Sequence, residues 1–294
     1  MGMITAQPNV LFEHGATDVQ SLYEMLCREK TVEKVLQDDF ASVQFFTAPL
    51  GLEACRLFER FMKEDLQYRE QWMFDIPGNG DPDLGYLPDR DGKDKDPRTM
   101  TPQEKADRKK REDKKSLMHL NHQVRKKLQI RRVNYERHEK LLQIGEKIEL
   151  IHDNLAHAFA RRQDELVPGF HFEERLEDAK QDHISFLRLA IYHNEPEKDE
   201  DAADIHTDRA AWTQQLIANR HGLVIRDRKG VAHEPDETRL DDVLIFFGKK
   251  MTKITKGLHP GAPHYVKEVR RSPEEIAKDP SKRVAAIWFA HALA

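Results

Sequence analysis

A chain of 294 residues, 38% of them hydrophobic and 34% charged, is long enough for one large or two modest cores and needs no covalent staple to fold. Its 48 basic and 52 acidic side chains nearly cancel, to a formal charge of -4, which argues against a general polyanion-binding protein. Cys27 and Cys55 stand outside any paired motif, and the chain shows neither a secretory leader nor an apolar run long enough to span a bilayer, so a reducing, cytoplasmic setting without disulfides or a membrane span is expected.

In chain order, Asn9–Glu13 reads as a strand, and Val19, Leu22, Tyr23 and Leu26 recur at helical spacing after the capping residues Thr17 and Asp18. Phe40–Thr47 is rich in strand formers. Beyond the breakers Pro49 and Gly51, the residues Leu52, Cys55, Phe58, Phe61 and Met62 mark a second helix face. Asp75–Pro102 turns to Gly, Pro and Asp, the texture of a long surface loop, and Glu104–Lys115 is a lysine- and arginine-dense segment that reads as a solvated helix face or hinge. Leu141, Ile144, Ile148, Ile151, Leu155 and Phe159 recur in steps of three and four, predicting one long helix over about 135–163 that buries a single stripe against a sheet.

After Asp182 the pattern becomes a series of short strand-like runs, Ile184–His193, Trp212–Ala218, Gly222–Arg226, Val243–Phe247, His264–Val269 and Val284–Phe289, separated by turn residues. Such spacing is the signature of a jelly roll or barrel. The expected architecture is α+β: residues 1–183 form a mixed strand and helix region, and residues 184–294 form a β-rich core, together one compact unit.

Within that core lies Asp204-Ile205-His206-Thr207-Asp208. In an extended segment His206 and Asp208 point to the same side, offering an imidazole and a carboxylate together. With a second histidine from a distant strand they make a 2-His-1-carboxylate set, which leaves positions open on ferrous iron for a bidentate co-substrate and dioxygen. In a chain with 15 histidines the pair alone is a weak signal.

The blocks around it sharpen the reading. His206-Thr207-Asp208 is followed by Thr213, by Gly222-Leu223-Val224-Ile225, by Gly230, by the apolar run Asp242–Gly248, by the turn Thr255-Lys256-Gly257, by His264-Tyr265-Val266 and by Arg283-Val284-Ala285. In order and spacing this resembles the double-stranded β-helix core of the Fe(II)/2-oxoglutarate-dependent oxygenases, in the isopenicillin N synthase-like branch. Phe40–Phe46 with the helix after it, and Gly85-Tyr86, resemble that branch's leading elements more faintly.

The resemblance implies a double-stranded β-helix (jelly-roll) core flanked by N-terminal helices, and Fe(II), 2-oxoglutarate and O2 as the cofactors. It implies His206, Asp208 and His264 as metal ligands and catalytic centre, with His259, in a Leu-His-Pro-Gly turn, as the competing third ligand. It also implies that Arg283 clamps the far carboxylate of 2-oxoglutarate, since a buried carboxylate needs a cation, and that Tyr192 stands beside it. The expected reaction oxidises, by default hydroxylates, a C–H bond of a small molecule such as an amino acid or specialised metabolite, releasing succinate and CO2. Halogenation is disfavoured because Asp208 holds the position a halide would need.

Arg209, Trp212 and Arg226, on or beside core strands, suggest an anionic or zwitterionic substrate. Departures from the branch are Ala285 for its serine, Ala210 for a frequent glycine, Lys249 for an acidic residue, and a longer stretch between His264 and Arg283 with Arg270–Ser281 as an inserted loop. The chain ends directly after the last strand, so the Asp75–Pro102 loop with the charged segment, or a second subunit, is expected to cover the pocket. Two other functions stay open: an iron-dependent oxidase of this fold that does not use 2-oxoglutarate, and a nucleic-acid- or protein-binding module on an inert β scaffold.

Overall fold

The computed structural model describes residues 18–74, 84–88, 101, 115–182, 185–192, 203–267, 271–278 and 281–293. The strand expected at Asn9–Glu13 and nearly all of the charged segment lie outside the described residues. The helices are α1 (Val19–Glu29), α2 (Thr31–Asp38), α3 (Ala48–Phe61), α4 (Leu66–Glu70), α5 (His122–Ile130), α6 (Glu139–Leu166), α7 (Phe172–Asp182), α8 (Lys249–Ile254) and α9 (Pro273–Lys278). The strands are β1 (Phe40–Gln44), β2 (Met73–Phe74), β3 (Leu84–Pro88), β4 (Lys115–Leu120), β5 (Phe186–Tyr192), β6 (Ala203–His206), β7 (Trp212–Ala218), β8 (Leu223–Arg226), β9 (Ala232–His233), β10 (Asp242–Phe247), β11 (His264–Val266) and β12 (Arg283–Ala290).

The strands form two antiparallel sheets. An eight-stranded sheet runs β1-β10-β7-β12-β5-β4-β3-β2, and a four-stranded sheet runs β6-β11-β8-β9. From β5 onward the chain passes back and forth between them, the β8–β9 hairpin staying within the smaller sheet. Leu223 and Ile225 of β8 pack with Leu244 and Phe246 of β10 and with Ala262, which joins the two layers through an apolar cluster.

On the eight-stranded sheet the register sorts the two faces. Leu187, Leu189, Ile191, Val284, Ala286 and Trp288 belong to the main core, against which α3 packs from outside. Arg188, Tyr192, Arg283 and Ala285 alternate with them and face the other way. The first half of the chain adds β1 at one end of this sheet and β2, β3 and β4 at the other.

Local chemistry explains most boundaries. Asp18 caps α1 by accepting from the Ser21 N–H at 3.0 Å. Helix α3 begins four residues before the expected Leu52, because proline suits the first turn of a helix and Pro49 sits there. Gly51 lies in that helix as a point of close approach: a Cβ would stand 2.9 Å from Ile217 Cγ2 and 3.1 Å from Ala286 Cβ.

Helix α6 buries the whole expected stripe, and also Leu142, His152, Ala156, His157, Ala158, Ala160 and Gln163, because α1, α3 and α7 pack along its flanks. Within the stretch expected to be loop, Leu84–Pro88 forms β3, paired with both β2 and β4. The expected inserted loop at Arg270–Ser281 carries α9. Among the described residues no helix is long and apolar enough to cross a membrane.

Candidate active site

Strands β6 and β11 lie side by side, with His206 directly opposite His264. Their ring centroids are 4.4 Å apart. Asp208 completes the group: its Oδ1 is 3.7 Å from His206 Nε2 and its Oδ2 is 3.4 Å from His264 Nε2. One ligand atom from each of the three lies within 4.8 Å of the others, and they are the one such His, Cys, Asp or Glu group among the described residues. The Asp208 and His264 side chains are 6% and 7% exposed and that of His206 is 45% exposed, so the group opens to solvent on the His206 side.

The route by which Asp208 arrives differs from strand alternation. Strand β6 ends at His206, and Thr207–Ala210 is irregular. This turn is held by the start of α8: the Lys249 N–H donates to the Asp208 carbonyl at 2.7 Å, and the Lys250 N–H to the Ala210 carbonyl at 3.2 Å. The contact needs glycine at 248, where a Cβ would fall 2.2 Å from the Ala210 oxygen.

The side chains around the group orient it. The Thr213 hydroxyl, from the facing strand β7, donates to Asp208 Oδ2 at 2.7 Å. His264 Nδ1 lies 3.1 Å from the Ala262 carbonyl, which accepts a hydrogen bond from Nδ1–H and leaves Nε2 as the ring nitrogen turned toward Asp208 and His206 for a metal. Phe246 packs edge-on against the His264 ring at 4.9 Å. Burial pushes the Asp208 carboxyl up, but the His264 and His206 imidazoles, the Arg188 guanidinium and the Thr213 hydroxyl together outweigh it and hold the group below its ordinary value. Two imidazoles and one ionised carboxylate, open on one side, fit a ferrous ion.

His259, the competing histidine, is buried in the turn after α8, packed against Phe247 at 5.7 Å. Its backbone N–H donates to the Thr255 hydroxyl at 3.0 Å, and it does not join the group of three.

Arg283 is the register partner of Tyr192, and its guanidinium stands 5.0 Å from that ring. It also meets a residue that sequence reading did not single out. Glu237 Oε1 is 3.3 Å from Arg283 Nη2, with side chains 1% and 11% exposed.

No protein-family model and no curated protein matches the chain. Solved structures do match. Dioxygenase for auxin oxidation 1 from Arabidopsis thaliana, in complex with 2-oxoglutarate, aligns with a TM-score of 0.64 and 15% identity over 92% of this chain and 90% of that one. The rice dioxygenase for auxin oxidation aligns at 0.59 with 14% identity over 95% and 80%. JOX2, solved with 2OG, Fe and JA, aligns at 0.56 with 13% identity over 94% and 73%. The chain has the fold of the 2-oxoglutarate- and iron-dependent oxygenases.

On this oxygenase fold the three residues expected to contact substrate are dispersed. Trp212 points to the helices, donating from Nε1 to Gln163 Oε1 at 3.1 Å, because it alternates with the inward Thr213. Arg226 is exposed on β8 beside Tyr265, alternating with the inward Ile225. Arg209 is exposed on the turn after Asp208.

Arg188 of β5 is a further cation whose charge helps to hold the Asp208 carboxyl below its ordinary value. Its Nε donates to His119 Nε2 at 2.9 Å, and its guanidinium lies 4.6 Å from the Phe289 ring. The available signal was an arginine inside the otherwise apolar run Phe186–Ile191.

Proposed function

We propose that the protein is a non-haem, Fe(II)- and 2-oxoglutarate-dependent oxygenase with a double-stranded β-helix (jelly-roll) core, which hydroxylates a C–H bond of an anionic small molecule. The observation that carries this is the meeting of His206, Asp208 and His264, with Thr213 of the eight-stranded sheet donating to the same carboxylate. The oxygenase fold of the matched structures, several solved with 2-oxoglutarate, supports it.

His206 Nε2, Asp208 and His264 Nε2 would hold the iron, with Thr213 and the Ala262 carbonyl fixing the carboxylate and the ring. Bound iron and 2-oxoglutarate supply oxidative decarboxylation of the keto acid, to succinate and CO2, coupled to oxidation of the substrate. Arg283, with Tyr192 beneath it, would receive the far carboxylate of the keto acid. Arg188, whose charge bears on Asp208, would orient an anionic substrate against the centre.

The test is anaerobic titration of the Fe(II) protein with 2-oxoglutarate, followed by assay of succinate on admission of oxygen with candidate acids. Succinate that does not depend on added 2-oxoglutarate and iron overturns the reading. A second reading, an iron-dependent oxidase of this fold without 2-oxoglutarate, draws on Ala285 and on the pairing of Arg283 with Glu237. Substrate-dependent oxygen uptake with no requirement for 2-oxoglutarate would establish it.

A further inference from the structure

The Arg283–Glu237 pair is unusual for a carboxylate clamp. A well-made arginine–carboxylate pair is bidentate. Here one contact of 3.3 Å joins Arg283 Nη2 to Glu237 Oε1, and the same oxygen accepts the Leu223 N–H at 2.8 Å. Two buried atoms are left without a hydrogen-bond partner: Glu237 Oε2, an acceptor, and Arg283 Nε, a donor. Buried polar atoms in a finished site are matched, so this pair is one ligand short of completion.

The charge count says what that ligand is. Arg283 from β12 and Glu237 from the segment before β10 already neutralise each other. Tyr192 of β5 lies against the guanidinium through its ring, and the neighbouring His221–Asp236 pair is on the surface. A second carboxylate entering here would give two anions to one cation away from water, and carboxylates sharing a site retain a proton between them.

A carboxylic acid group also has the matching hydrogen-bonding groups: its carbonyl accepts where Arg283 Nε donates, and its O–H donates where Glu237 Oε2 accepts. Ala285, two residues along the same face, offers no hydroxyl to compete.

We propose that 2-oxoglutarate binds this protein together with one proton, held between its far carboxyl group and Glu237 beside Arg283. This rests on the co-substrate reading above. It makes Glu237 a positioning residue that ties co-substrate affinity to pH.

The experiment is isothermal calorimetry of 2-oxoglutarate into the Mn(II)-saturated full-length protein, without oxygen. It is run between pH 7 and 8.5 in buffers of different ionisation enthalpy. The wild type should take up close to one proton per 2-oxoglutarate at pH 7, and its affinity should fall about tenfold per pH unit once the shared proton becomes hard to supply. Glu237→Gln keeps an oxygen for the Leu223 N–H. It should abolish the proton uptake, flatten the pH dependence and bind more tightly than the wild type at pH 8.5.

Wild-type binding without proton uptake, or Glu237→Gln binding with the uptake retained, overturns the coupling and leaves the co-substrate reading standing. If neither protein binds 2-oxoglutarate while both bind Mn(II), the co-substrate reading falls and the proposal with it.

Discussion

His264 Nε2 lies 3.4 Å from Asp208 Oδ2, while the opposite ring nitrogen of His264 lies 3.1 Å from the Ala262 carbonyl. The backbone thus sets the tautomer that leaves a lone pair facing the carboxylate, which is the state a divalent metal requires. His264→Ala and Asp208→Ala are each expected to abolish Mn(II) or Fe(II) binding and all iron-dependent succinate formation. His259→Ala should leave metal affinity unchanged and lower stability by about 2 kcal/mol through lost packing. Metal titration and thermal melts of the three variants check this; a His259→Ala protein that loses metal while His264→Ala retains it would reassign the third ligand.

Thr213 acts on the same carboxylate from the other sheet. Thr213→Val keeps the shape and removes the hydroxyl that donates to Asp208 Oδ2. Outer-shell hydrogen bonds of this kind are worth about 10- to 100-fold in metal affinity. Competition titration against a chelator measures the loss, and unchanged affinity would show that Asp208 is oriented by its turn alone.

The turn has its own test in Gly248→Ala. The added Cβ would enter the space of the Ala210 carbonyl at 2.2 Å, a backbone atom with no side-chain freedom to yield. Overpacking of this kind costs about 1–3 kcal/mol, and because the displaced segment carries Asp208, metal affinity should fall alongside stability. Denaturant unfolding of the metal-free variant, set beside its metal titration, reads both effects.

Two buried histidines set an acid limit. His152 in α6 bridges Gln214 Oε1 at 2.6 Å and Thr47 Oγ1 at 2.9 Å, and burial pushes its pKa down to about 4. Burial likewise pushes His291 down to about 3, with Lys250 acting in the same direction.

Each stays neutral in the folded protein while the unfolded chain takes up a proton near 6.5, so stability falls as pH drops below that value. From pH 7.5 to 5.5 each should remove about 1 kcal/mol. Unfolding midpoints of the metal-free protein across this range should show the fall, and His152→Gln should have the flatter profile.

Much of the architecture was legible because it is written in local periodicity. The stripe from Leu141 to Phe159 found its helix, and the short apolar runs after Asp182 found their strands, since burial of one face imposes a period of 3.6 or 2 on the chain. His206 and His264 stand at the end and start of such runs, whereas Asp208 lies in the turn beyond β6, and the three were read together only through the order of blocks that resembles the oxygenase core. The errors at α3 and β3 arose where a breaker residue is tolerated: Pro49 in a first turn, and Gly85 in a strand that two neighbours hold in place.

Contacts between segments far apart in the chain left no local trace. Lys249 pins the Asp208 turn, the charge of Arg188 on β5 bears on Asp208, and Glu237 meets Arg283 across 46 residues of chain. Their side chains carry the same composition and spacing whether they face solvent or one another. Only the folding of two sheets together brings a carboxylate to an arginine, so the sequence alone determined which atoms are present at this centre, and the tertiary structure decided which of them are already engaged.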